Sequence, residues 1–290
     1  MPQLDYVAPT SAEDASAALA AGGGLAKVLA GGTDLLVQLR SGRLAPGVIV
    51  DLKRVAGAIG IREEGGGFVI GAATPGAVIG EHEALGRAWP GVVEAATLIG
   101  STQIQGRASM AGNLCNASPA ADSVPALVAA QATCLIVGPS GRRTAPAEAI
   151  AVAPGMTSLA PGEFILEIRL PPRPPRSADA YLRSIPRTEM DIAVVGAGVN
   201  LGLDDEGLVS QARVALGAVA PTVIVVEAAA KALIGTRVDE EALAGLDAAA
   251  RAACSPISDK RGTIEFRTKI AGVLARRAAI IAFARAGERA

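Results

Sequence analysis

A chain of 290 residues is about two average domains long and can bury most of the surface it exposes when unfolded. Its apolar fraction is 50%, but aromatic residues make up only 2% and the richest stretch, 124–137, is broken by Pro125 and Gln131, so no run reaches the roughly 18 residues of a spanning helix. With 27 basic against 28 acidic residues and a net charge of -1, the chain lacks both the positive field and the stacking side chains of a nucleic-acid binder.

The opening Met1-Pro2-Gln3-Leu4-Asp5 carries an acidic residue and no basic-then-apolar leader pattern, so a cytoplasmic chain is expected. Thr10 and Ser11 are N-cap residues, Glu13 and Asp14 suit a first turn, and the Ala-rich run behind them stops at Gly22-Gly23-Gly24. That pattern predicts a helix with both ends marked. A short buried strand at Lys27-Val28-Leu29-Ala30 is broken by Gly31-Gly32-Thr33-Asp34, and Leu35, Leu36 and Leu39 then recur at helical spacing. A strand over 48–52 follows, then a hairpin joining 59–62 to 68–71 about Glu64-Gly65-Gly66-Gly67.

Helical patterns over 75–83 and 83–99 have a boundary at Trp89-Pro90. From Ile99 to Asn116 the periodicity is lost, which predicts a long Gly-, Ser- and Asn-rich loop, and such loops are usually functional or disordered. A helix is expected over 119–132, with Ser118 as cap and Pro119 in the first position. A hairpin of 134–137 with 142–144 comes next, and 163–170 alternates as a strand. The connector Pro171-Pro172-Arg173-Pro174-Pro175 is stiff and extended, so the domain boundary is placed there, dividing the chain into 1–175 and 176–290. Beyond it, 191–203 and 208–219 alternate on either side of Asp204-Asp205-Glu206-Gly207, and helical patterns cover 223–234, 240–253 and 264–286. On the last helix Ile270, Val273, Leu274 and Ile281 form an apolar stripe beside Arg276, Arg277 and Arg285, a core face or, alternatively, a docking face.

Metal chemistry has little to stand on. Cys115, Cys134 and Cys254 are far apart and form neither a CxxC pair nor the four thiolates of an iron-sulfur cluster, and each reads most simply as a small buried apolar residue. The single His82 lies in a helical pattern and cannot build an imidazole site.

Two segments carry ligand chemistry. In Val28-Leu29-Ala30-Gly31-Gly32-Thr33-Asp34-Leu35 a strand ends in two glycines just before a helix. Each glycine costs about 0.5–1 kcal/mol relative to alanine in an ordered element, so the pair marks either a tight turn or the close approach of backbone to an anion such as a pyrophosphate. The second is Ser109-Met110-Ala111-Gly112-Asn113-Leu114-Cys115-Asn116-Ala117-Ser118-Pro119-Ala120-Ala121-Asp122, rich in short hydrogen-bonding side chains and leading into a helix start. Asp122 suits either a ribose hydroxyl or the positive end of that helix. Gly196-Ala197-Gly198 begins like a dinucleotide fingerprint, but Leu201 stands where the third glycine belongs and the alternation runs on, so it reads as strand.

Leu29-Ala-Gly-Gly-Thr-Asp-Leu-Leu36, Ile99-Gly-Ser-Thr-Gln-Ile-Gln105, Gly112-Asn-Leu-Cys-Asn-Ala-Ser-Pro-Ala-Ala-Asp122, Pro161-Gly-Glu-Phe-Ile-Leu166 and Asp259-Lys-Arg-Gly-Thr-Ile-Glu-Phe-Arg267 resemble the ordered motifs of the FAD subunit of molybdenum hydroxylases. That family includes bacterial xanthine dehydrogenases and aerobic carbon monoxide dehydrogenases, and the match spans nearly the whole chain. It implies an α+β fold: a PCMH-like FAD-binding domain of two subdomains, divided near 55–60, followed by a smaller α/β C-terminal domain with an antiparallel sheet and helices. Carried over by position, Leu29, Ala30, Gly31, Gly32, Thr33, Asp34 and Leu35 would hold one side of the pyrophosphate, and Ser109, Ala111, Gly112 and Asn113 the other. Asp122 matches a cofactor-contacting acid, Leu166 an apolar flavin contact and Arg183 a family lysine, while Ile192 stands beside the flavin ring where some relatives carry an aromatic residue. Relatives commonly read Thr-Ile-Gly-Gly-Asn at 109–113, so Ala111 replaces a glycine: either the loop is reshaped or φ is negative there.

The resemblance also implies what lies outside the chain. It implies non-covalently bound FAD here, two iron-sulfur clusters on a small partner subunit, and the molybdenum cofactor on a large one, assembled as a heterohexamer, a dimer of heterotrimers. The implied function is electron transfer from the partner's clusters to NAD or a quinone-linked acceptor, and no nucleophile or acid-base pair for an organic substrate stands out in this chain. The alternatives are a self-contained flavin oxidase or reductase, and a cofactor-free scaffold.

Overall fold

The computed structural model describes residues 4–289. Strand β1 (Asp5–Val7), which the sequence reading missed, opens the chain, and helix α1 (Ala12–Gly22) begins where Ser11 Oγ accepts the Asp14 amide at 3.1 Å. Strand β2 (Ala26–Leu29), helix α2 (Leu35–Arg40) and strand β3 (Val48–Asp51) complete a small parallel sheet of order β1-β3-β2. Parallel neighbours need crossovers, and α1 supplies one by laying Ala12, Ala15 and Leu19 over the sheet. Those residues share a core with Val50, Leu52, Phe164 and Leu166, which ties this unit to the next.

The second unit starts with the hairpin of β4 (Ile61–Glu64) and β5 (Gly67–Gly71). The expected pair of helices is three: α3 (Gly76–Glu81), α4 (Glu83–Ala88) and α5 (Pro90–Thr97), with Pro90 in the first position of the last. The stretch expected to be irregular holds two short helices, α6 (Thr102–Gln105) and α7 (Met110–Cys115). Helix α8 (Ser123–Ala129) begins later than Pro119, because Ser118 Oγ accepts the Ala120 amide at 3.3 Å and the chain first turns through 119–122. Strands β6 (Thr133–Gly138) and β7 (Gly141–Pro146) form a hairpin, β8 (Ala151–Ala153) and β9 (Met156–Thr157) a smaller one, and β10 (Phe164–Leu170) closes the unit. The antiparallel sheet runs β4-β5-β10-β6-β7, so β10 occupies the middle, and six of its seven residues are buried.

The third unit is a four-stranded antiparallel sheet, β11 (Ser177–Ser184), β12 (Val195–Leu203), β13 (Val209–Gly217) and β14 (Ile224–Val225) in sequence order. Helices α9 (Glu227–Leu233), α10 (Glu240–Ala252) and α11 (Ile264–Gly287) cover it. The face that α11 buries is mainly alanine, with Ala271, Ala275, Ala278, Ala279, Ala282 and Ala286 inside, while Ile270, Val273 and Ile281 of the expected stripe are only half-buried at its margins. Polar groups fasten this unit to the second. Arg173 lies 3.4 Å from the Trp89 ring centroid and pairs with Asp179 at 2.6 Å, and Arg285 pairs with Glu94. The molecule is therefore α+β, and no helix among the described residues is long and apolar enough to cross a membrane.

Candidate functional site

A cavity of about 600 Å³, within the size range of cofactor clefts, opens between the first unit and the loops of the second. One wall is the β2–α2 turn. A Cβ at Gly31 would stand 1.9 Å from the Arg107 carbonyl oxygen, so the two loops touch backbone to backbone and only glycine fits. Gly32 has φ +80, a left-handed conformation that a side chain strains, and its carbonyl accepts the Leu36 amide at 3.0 Å to start α2. Among the described residues, the amides of Gly31, Gly32, Thr33, Asp34 and Leu35 find no acceptor in the chain. Successive unpaired N–H groups on a cleft wall form an anion cradle.

The facing wall is built on α7. Ser109 caps it, its Oγ accepting the Gly112 amide at 3.2 Å, and the Ala111 amide has no acceptor in the chain. Ala111 sits inside the helix with negative φ, so the exchange of glycine for alanine brings no backbone strain. Asn113 Oδ1 accepts two donors from Ser123, the amide at 3.1 Å and the hydroxyl at 2.7 Å, and a backbone N–H can only donate, so the oxygen faces Ser123 and the Nδ2 group is left free. The remaining wall is the 155–165 segment, with Thr157, Leu159 and Phe164 facing the space.

Of the residues singled out in the sequence, the structure gathers Ala30, Gly31, Gly32, Thr33, Asp34, Leu35, Ser109, Ala111, Gly112 and Asn113 on this one cleft. Leu29 ends β2 directly behind it, with its Cδ1 2.9 Å from where a Gly32 Cβ would be. Leu166 is buried in the core between the first two units, its carbonyl accepting the amide of Ala72, which itself lines the cleft. Asp122 and Arg183 are off the cleft wall and face each other, Arg183 donating to Asp122 Oδ2 at 2.8 Å and the Tyr181 hydroxyl to Oδ1 at 3.3 Å. Burial pushes the Asp122 carboxyl above its usual range, and the Arg183 guanidinium opposes part of that. Ile192 is half exposed in the segment before β12, away from the cleft wall.

Two supporting residues escaped the sequence reading, because each bonds an atom well removed in the chain: Ser123 the Asn113 side chain, and Lys53 the Ala30 carbonyl. Cysteine and histidine add no further chemistry to the cleft. Cys115 reaches the cleft, and burial pushes its thiol up to about 12, which favours the neutral thiol. His82 caps α4, its Nδ1 accepting the Leu85 amide at 3.1 Å. Among the described residues no group of three or more His, Cys, Asp or Glu is placed to hold a metal ion.

Comparison with known proteins agrees with this geometry. Residues 2–173 match the family described as the FAD binding domain in molybdopterin dehydrogenase, and residues 180–282 match the CO dehydrogenase flavoprotein C-terminal domain. The carbon monoxide dehydrogenase medium chain of Hydrogenophaga pseudoflava is 34% identical over 98% of both chains. A putative xanthine dehydrogenase FAD-binding subunit of Escherichia coli is 32% identical over 90% of both. A solved chain of the reconstituted CO dehydrogenase from Oligotropha carboxidovorans superposes with a TM-score of 0.93 at 35% identity, covering 98% of this chain and 99% of that one. A cleft walled by free backbone amides, on a fold shared end to end with these proteins, makes the chain a member of the FAD-binding medium subunits of molybdenum hydroxylases, which are oxidoreductase components of multi-subunit enzymes.

Proposed function

We propose that the cleft holds FAD non-covalently, with its diphosphate between the amides of residues 31–35 and the α7 wall of Ser109, Ala111, Gly112 and Asn113. The observation that carries this reading is the run of unpaired amides that begins at Gly31, where the Arg107 backbone leaves no room for a side chain. Donors already fixed in place need no reorganisation when a charged group arrives. FAD, when bound, supplies one- and two-electron redox chemistry. The chain's own residues bind it, exclude water along the Leu159–Phe164 wall and leave the organic substrate to another subunit.

Within the assembly, the partners are a small subunit with iron-sulfur clusters and a large subunit with the molybdenum cofactor, joined as a dimer of heterotrimers in the cytoplasm. The acceptor is NAD or a quinone-linked carrier. The proline connector divides the chain at about residue 175, which fits the pairing of Arg173, just before it, with Asp179, just after it. Leu166, Asp122, Arg183 and Ile192 belong to this reading as supports around the cofactor. Asp122 and Arg183 set the seam between the second and third units, and Ile192 stands on the exposed side.

The test is a titration of the purified chain with FAD, read by flavin absorption and emission, beside Gly31→Val and Gly32→Val. The wild-type chain is expected to bind one FAD and to release it intact on denaturation, and both variants to lose most of it. Full flavin loading of Gly31→Val would refute the placement of the diphosphate.

A further inference from the structure

One polar cluster lies behind the cleft, built around a buried carboxylate, Asp51, with a half-buried Lys53 and an exposed Tyr6. Lys53 follows β3, and its Nζ donates to the Ala30 carbonyl at 3.2 Å and to Asp51 Oδ1 at 2.7 Å. Asp51 is 4% exposed and has two further donors, the Tyr6 hydroxyl at 2.5 Å on Oδ2 and the Lys53 amide at 2.9 Å on Oδ1. Burial works to raise the Asp51 carboxyl, but the bonds from Lys53 and Tyr6 outweigh it and hold it below its usual value. The lysine is thus pinned by a buried carboxylate and not free in solvent.

We propose that Lys53 is a positioning residue for the cofactor diphosphate, holding the Ala30 carbonyl so that the Gly31 amide is turned toward the cleft. This rests on the reading of the cleft as the FAD site. In a trans peptide the C=O and N–H point in opposite directions. Ala30 and Gly31 line the cleft and Lys53 does not, so a carbonyl drawn toward Lys53 faces away from the cleft and the Gly31 amide faces into it. The neighbouring Gly31-Gly32 pair is conformationally permissive, and Gly32 already has φ +80. Without an anchor this peptide can flip and present its carbonyl oxygen to the anion, replacing a donor by the negative end of a dipole. Asp51 balances the Lys53 charge, so the lysine contributes direction and little net field.

That distinction can be measured on the full chain with FAD as the probe. Lys53→Met is expected to raise the FAD Kd about ten-fold, the value of one hydrogen bond to a charged group, and the gap should persist at high salt, where a field effect would be screened. Lys53→Arg, which can reach both acceptors, should recover most of the affinity. Lys231→Met, an exposed lysine on α9, removes the same charge elsewhere and should change nothing. The phosphorus resonances of bound FAD should move in Lys53→Met and return in Lys53→Arg, a response that a merely structural role would not give. If Lys53→Met does not fold, Lys53→Ala, which likewise has no donor for the Ala30 carbonyl, carries the same test. Wild-type affinity in the folded variant, or a gap that disappears at high salt, overturns the proposal alone; a wild-type chain that binds no FAD overturns the reading of the cleft itself.

Discussion

Asp122 and Arg183 are almost completely buried, and each is the other's main compensation. Removing one partner of such a pair leaves an uncompensated charge, which costs about 3–5 kcal/mol, so Arg183→Met should lower stability by that amount near neutral pH. The pH dependence follows from the raised Asp122 pKa. An acid whose folded pKa lies above its unfolded value destabilises the fold above that folded pKa, and the penalty is gone below the unfolded value of about 3.9. Without Arg183 the penalty grows, so the stability gap between wild type and Arg183→Met should narrow as pH falls toward about 4. Urea unfolding at both pH values checks it, and a gap independent of pH would contradict the pairing. At this scale the cradle glycines were legible because two glycines at a strand end demand a geometric reason. Lys53 was not, since a lysine after a strand reads as solvated surface until its carbonyl partner is known. Nor could spacing reveal that Asp122, read as a helix-start acid, would meet a guanidinium from β11.

Helix α11 shows what alanine composition does for an element. Its buried alanines let it lie close to β11, β12 and α10, and a Cβ at Gly272 would come within 2.3 Å of Asp247 Oδ1. Ala275, on the same helix, is fully buried. Ala275→Leu should therefore cost about 1–3 kcal/mol through overpacking, lowering the thermal midpoint by several degrees while leaving the FAD Kd unchanged. A variant as stable as wild type would mean that the helix can shift outward. Helices with side-chain caps, such as α1 and α10, were readable from sequence. Helices α6 and α7 were not, because four and six residues mixed with Gly, Ser and Asn are too few to establish a period. Strand β11 was missed for a different reason: Ser177 through Tyr181 are buried on both faces, so small and polar residues alternate without the apolar contrast that marks a one-sided strand.

At the scale of the molecule, the α+β class was legible, and the five ordered motifs carried most of that. Sheet partnering was not, because β10 pairs with β5 and β6 from distant parts of the chain and no local pattern records the choice. The seam with the third unit was marked only by its prolines. Its contacts include Trp89, the single tryptophan of the sequence, which is 1% exposed, has no acceptor for its Nε1 and carries Arg173 over its ring. Trp89 is absent from the cleft wall, so the protein contains two independent optical reporters: blue-shifted indole emission for the seam, and the visible spectrum of a bound flavin for the cleft. Arg173→Ala should alter indole intensity and wavelength while leaving flavin absorption as it was. A joint response of both signals would show that loosening the junction is transmitted to the cofactor, and the tryptophan would then report the state of the flavin site without an added label.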